Sequence, residues 1–104
     1  MHLMKSATAI ATVLEKFPNL IITMQNCPYC HKAKDILKNM KIDFHEIERS
    51  HDLELTKQFQ EAYSYRTYPM VFLKKEFIKG HSDLKKLLES GELAKYRDEN
   101  KENL

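Results

Sequence analysis

"LIITMQNCPYCHKAKDIL", Leu20 to Leu37, is the stretch on which the fold turns. Its opening, "LIITM" (Leu20–Met24), is short, rich in β-forming residues and apolar on both faces, the pattern of a buried strand. Ala33, Ile36, Leu37 and Met40 then recur at i, i+3, i+4 and i+7, which predicts a helix from about Pro28 to Asn39. Between strand and helix lies Cys27-Pro28-Tyr29-Cys30-His31. As a bare pattern it admits a redox dithiol, half of a zinc site or covalent haem attachment.

Position separates these chemistries. Cys27 falls where the strand ends, and Pro28 takes the first helical position, where its missing N–H costs nothing and its φ is preset. The Cys27 sulfur is thereby set over the free N–H groups and the positive end of the helix dipole, both of which favour a thiolate. Cys30, one turn further, is placed to attack a mixed disulfide on Cys27. Zinc would need further ligands, yet there is no second Cys-x-x-Cys, and His2, His31, His45, His51 and His81 are scattered. Haem attachment needs export, which the reading of the N-terminal stretch does not support, and room for a macrocycle, which a strand–helix–strand unit hardly leaves. The motif reads as a redox dithiol.

Outward from it, Ile10, Val13, Leu14 and Phe17 mark an N-terminal amphipathic helix broken at Pro18. "KIDFHEI" (Lys41–Ile47) alternates in part and predicts a second strand; Leu55, Phe59, Ala62 and Tyr63 predict another helix. "MVFL" (Met70–Leu73) and "EFI" (Glu76–Ile78) read as paired short strands, and Leu84, Leu87 and Leu88 mark a last helix stopped at Gly91. The expected class is α/β, a thioredoxin-like four-stranded mixed sheet with helices on both faces. The polar "ELAKYRDENKENL" that follows is expected to extend the helix and then fray.

At 104 residues the chain is expected to be one domain, 1–104, flexible at 1–6 and about 96–104. A formal charge of +2, evenly spread, gives no argument for nucleic acid. "ATAIATVL" (Ala7–Leu14) is followed by Glu15-Lys16-Phe17 and not by a small-residue cleavage site, so it is read as helix and not as signal peptide. No run is long enough to span a membrane. Bridging Cys27 to Cys30 closes too small a loop to add much stability, so the pair is read as reactive, in a reducing compartment, and a cytoplasmic location is expected.

From about Leu20 to Leu88 the sequence resembles a dithiol glutaredoxin. "CPYC" is the tetrad typical of that family, "RTYP" (Arg66–Pro69) resembles its Thr-Val-Pro, whose proline is cis, and "IKGHSDL" (Ile78–Leu84) resembles its Gly-Gly-x-x-Asp-Leu element. The resemblance implies a glutathione-dependent thiol–disulfide oxidoreductase, with Cys27 as nucleophile and Cys30 as resolving thiol. Glutathione would be the reductant, glutathionylated or disulfide-containing proteins the substrates, and a monomer the working form. Tyr29, Thr56, Tyr68, Pro69, His81, Ser82 and Asp83 are the implied glutathione contacts. Tyr68 would offer its backbone N–H and C=O like an added strand, while Ser82 and Asp83, opening the last helix, would meet the γ-glutamyl carboxylate. Gly80 would let the chain turn.

The sequence departs from the family pattern at four positions. Met24 stands where the family often has a lysine for the glycyl carboxylate, and Thr56 where many members have Arg or Gln, with Lys57 beside it. Lys79 replaces the first glycine of Gly-Gly, and Tyr68 the valine before proline. Two alternatives stay open: an electron donor to one protein such as ribonucleotide reductase, recharged by thioredoxin reductase, and an iron–sulfur cluster scaffold. Pro28 argues against the latter, since the family's cluster binders usually have a more open tetrad.

Overall fold

The computed structural model describes the backbone of residues 2–97 and the side chains of residues 9–97. Its elements are α1 (His2–Lys16), β1 (Leu20–Thr23), α2 (Pro28–Asn39), β2 (His45–Glu48), a 3-10 turn (Arg49–His51), α3 (Leu53–Tyr63), β3 (Met70–Leu73), β4 (Glu76–Lys79), α4 (His81–Ser90) and a second 3-10 turn (Glu92–Tyr96). The sheet order is β2-β1-β3-β4. β1 pairs parallel with β2, and antiparallel with β3, which pairs antiparallel with β4.

Alternation along the central strands splits the core in two. Leu20, Ile22, Met70 and Phe72 pack under α1 and α3 with Ile10, Leu14 and Phe59. Ile21, Val71 and Leu73 face the other way, onto Ala33, Leu37 and Leu84 of α2 and α4. Since β1 and β3 are covered on both faces, their near-continuous apolar runs are accounted for. This is the expected mixed sheet with helices on both faces.

Two elements differ from the sequence reading. The second strand begins at His45, not Lys41, because residues 40–42 close α2 instead. Lys41 adopts φ 59°, its N–H donates to the Lys38 carbonyl at 3.0 Å, and the Ile42 N–H donates to the Leu37 carbonyl at 2.9 Å. This Schellman arrangement, with Ile42 buried beneath the helix end, uses for a cap the apolar residue that alternation had assigned to a strand. The chain after Gly91 also does more than fray. Leu93 and Tyr96 are buried against the α2–α4 side, and the Tyr96 hydroxyl donates to a Glu76 carboxylate oxygen at 2.7 Å. Arg97 donates from Nε to the Met40 carbonyl at 2.9 Å. The expectation for residues 98–104 lies outside the described residues, as do the side chains of residues 1–8.

The turn into α4 explains the Lys79-Gly80 pair. β4 carries one extra residue there: Val71 pairs with Lys79, but Phe72 pairs with Phe77. At this bulge Lys79 has φ 88°, a region that favours glycine. Gly80, at φ −113°, needs no such freedom. Its reason is space, for a Cβ there would lie 2.5 Å from the Tyr65 hydroxyl oxygen. The expectation that Gly80 serves the turn is thus corrected: Lys79 makes the turn, and Gly80 admits a tyrosine ring. Lys79→Gly is expected to stabilise the fold by roughly 0.5–1 kcal/mol, relief of the positive φ exceeding the entropy of glycine. Thermal unfolding should rise by a few degrees, and a lowered midpoint would contradict the argument.

Candidate active site

Cys27 is the N-cap of α2, in extended conformation (φ −116°, ψ 98°), with Pro28 in the first turn. Its sulfur accepts a hydrogen bond from the backbone N–H of Cys30 at 3.1 Å. Cys27 and Cys30 are joined as a disulfide with their Cα atoms 5.2 Å apart. Both are nearly buried, Cys27 at 5% exposure and Cys30 at 2%. A cap normally uses a side-chain oxygen to meet the first free N–H groups of the helix; here sulfur does so. In the reduced pair the same N–H and the positive end of the helix dipole would stabilise a thiolate on Cys27.

An open cleft of about 690 Å³, to which the Cys27–Cys30 motif contributes Tyr29 but neither cysteine, is lined by Met24, Tyr29, Tyr65, Arg66, Thr67, Tyr68, Gly80, His81 and Ser82. Its chemistry is aromatic and cationic, with no carboxylate among these residues. The Tyr68–Pro69 bond is cis, as the resemblance implied. The Tyr68 ring forms part of the wall, its hydroxyl accepting from Gln60 Nε2 at 3.1 Å. Tyr65 is set edge-on against Phe77, ring centroids 5.2 Å apart, which holds its hydroxyl over Gly80. On the other rim Tyr29, 58% exposed, leans on His81 at 5.4 Å and lies under Lys32 Nζ.

Of the residues expected to touch glutathione, Tyr29, Tyr68, His81 and Ser82 line this cleft, and Pro69 is buried directly behind Tyr68. Ser82 is not the N-cap of α4; Gly80 is, and it has no side chain to cap the first N–H groups. Asp83 lies in that first turn but is not a lining residue. Thr56 is elsewhere in function: 3% exposed within α3, its hydroxyl donates to the Asp52 carbonyl at 2.9 Å. Tyr65, Arg66 and Thr67 were not among the expected contacts, although the run up to Pro69 was the signal that could have found them.

His81 and Glu46, both on this side of the sheet, are shifted down. Burial, aided by the charges of Lys32 and Lys85, pushes the His81 imidazole below its ordinary 6.5. Burial opposes the charge of Glu46, but hydrogen bonds from Thr23 and Lys34 outweigh it and hold the carboxyl below its ordinary 4.5. A lowered folded pKa contributes stability above the unfolded value and loses it as pH falls through the folded one. Thermal stability is therefore expected to decline below about pH 6.5, from His81, and again below about 4.5, from Glu46. His81→Gln should flatten the upper limb in a pH series of melting curves; an unchanged upper limb would contradict the assignment.

The family model for glutaredoxin matches residues 19–78. Glutaredoxin-1 of Homo sapiens is 36% identical over 80 residues, covering 71% of this chain and 76% of that protein. Glutaredoxin-2 of Schizosaccharomyces pombe is 33% identical over 91 residues, 83% of this chain and 81% of that protein. Among solved structures, wheat glutaredoxin superposes with a TM-score of 0.79 at 22% identity, covering 88% of this chain and 89% of the other, and supports the fold alone. The chain belongs to the glutaredoxin family, and with its Cys27–Cys30 pair it is a thiol–disulfide oxidoreductase of thioredoxin-like fold.

Proposed function

We propose that this enzyme is glutathione-dependent and reduces glutathione mixed disulfides and protein disulfides through Cys27 and Cys30. The observation that carries this reading is the placing of the dithiol, its leading sulfur on a helix N–H, beside an open cleft without carboxylates. A negatively charged tripeptide thiol suits that cleft. A plant relative of the same fold, buckwheat glutaredoxin, has been solved as a glutathione complex.

The Cys27 thiolate attacks the glutathione sulfur of a mixed disulfide, forming a Cys27–glutathione disulfide. The freed substrate thiolate takes up a proton. Cys30, on losing its proton, can then attack Cys27 sulfur, expelling glutathione and leaving the Cys27–Cys30 bond. One glutathione thiolate reopens that bond by attacking Cys27; a second removes the first as glutathione disulfide and restores the dithiol. Tyr68 holds the cysteinyl part along its backbone, and the uncapped N–H groups of α4 meet the γ-glutamyl carboxylate. The enzyme works as a monomer in the cytoplasm.

The test is glutathione-supported reduction of a small glutathione mixed disulfide, coupled to glutathione reductase. Turnover is expected there and not when thioredoxin reductase alone supplies electrons. The reverse pattern would overturn glutathione dependence and favour the dedicated donor reading.

A further inference from the structure

Met24 lines the cleft but offers no charge, and Thr56 is buried and engaged with backbone. A cation is nevertheless present where the chain leaves β2, at Arg49. β1 and β2 run parallel with Leu20 beside His45 and Thr23 beside Glu48, and Met24 and Arg49 are the residues that follow the two paired strand ends. The Arg49 guanidinium lies over the Tyr68 ring, 5.9 Å from its centroid, and Tyr68 is a wall of the cleft.

The surroundings hold Arg49 there without neutralising it. Tyr68 is fixed from its far end by Gln60. The neighbouring acid, Glu48, is engaged by the Ser50 N–H and hydroxyl. Among the described residues Arg49 has no carboxylate in ion-pair range.

Resting on the glutathione reading above, we propose that Arg49 is the specificity-determining cation for the glycyl carboxylate of glutathione, a charge moved from the Met24 position to the 3-10 turn that follows β2. The two ends of glutathione differ chemically. Its γ-glutamyl end carries a carboxylate and an ammonium together and suits the neutral N–H groups opening α4. Its glycyl end is a bare carboxylate, which a guanidinium recognises with paired N–H donors. With the sulfur at Cys27 and the γ-glutamyl end at α4, the glycyl end extends along Tyr68 towards Arg49.

The test compares a small glutathione mixed disulfide with the same compound esterified at the glycyl carboxylate. The native chain should prefer the free acid about two- to fivefold in kcat/KM, the range of an exposed ion pair. Arg49→Gln should remove that preference by raising KM for the acid, with kcat and the ester unchanged. Arg49→Lys should keep part of it, and Met24→Lys in the Arg49→Gln background should restore it.

An Arg49→Gln enzyme that still discriminates acid from ester overturns the proposal, as does equal loss on both compounds. A larger loss of preference in Arg66→Gln than in Arg49→Gln would give the carboxylate to Arg66 and overturn it too. Failure of the native chain to turn over either compound overturns the glutathione reading itself, and this inference with it.

Discussion

Cys27→Ser should abolish every activity of the enzyme, while Cys30→Ser should keep the reduction of glutathione mixed disulfides and lose most reduction of protein disulfides. The asymmetry follows from the helix. Cys27 is the cap whose sulfur receives the Cys30 N–H at 3.1 Å, so its charge is met by the donors and dipole of α2. Cys30 sits inside the first turn, 2% exposed, past those donors. A serine hydroxyl has a pKa far above that of a thiol and does not attack a disulfide, so loss of Cys27 leaves no nucleophile. Loss of Cys30 leaves the first attack intact and lets free glutathione complete turnover. Protein disulfides need the second thiol to release a trapped intermediate. Rapid alkylation of the reduced enzyme at mildly acidic pH, read by mass spectrometry, should label Cys27 first. Equal labelling, or activity retained by Cys27→Ser and lost by Cys30→Ser, would reverse the assignment.

Leu93→Ala should cost about 2–5 kcal/mol, a large part of the roughly 5–15 kcal/mol that holds a domain folded. Leu93 has no exposed surface and sits among Leu37, Leu84 and Tyr96, where truncation leaves a cavity that helix backbones on either side cannot easily close. The effect should reach the site, because α2 and α4, which carry the dithiol and His81, share that cluster. Tyr96→Phe is the milder companion. It keeps the ring but loses the bond to Glu76, at a net cost of about 0.5–1.5 kcal/mol. Burial and Glu76 push the Tyr96 hydroxyl up to about 12, so its contribution persists through ordinary pH and fades as pH rises through that value. Denaturant unfolding distinguishes the cases: changes within about 0.5 kcal/mol for both variants would mean the segment after Gly91 is a frayed tail after all.

What was legible beforehand is what rests on local rules. Leu20–Thr23 is apolar on both faces and is buried on both; Pro28 and the 3.6-residue period of α2 place Cys27 at a helix start; Gly91 ends α4 at φ 84°. Each follows from the residue's own geometry or from a period, and neither depends on a distant neighbour.

What needed the tertiary structure is carried by contacts far apart in sequence. Lys74 and Lys75 form the β3–β4 turn at φ 48° and 70°, without the Asn-Gly signal such a turn usually shows. They are held by the Asn19 side chain and the Pro18 carbonyl, each 2.8 Å from a turn N–H. Leu93 and Tyr96 look polar by their surroundings in sequence, yet the α2–α4 groove buries them. The cation over the Tyr68 ring is the same kind of case. Composition and spacing determined a dithiol on a βαβ unit, but only the fold brings the Arg49 guanidinium over the Tyr68 ring, since where β2 ends is fixed by its pairing with β1, between residues 25 apart in the chain.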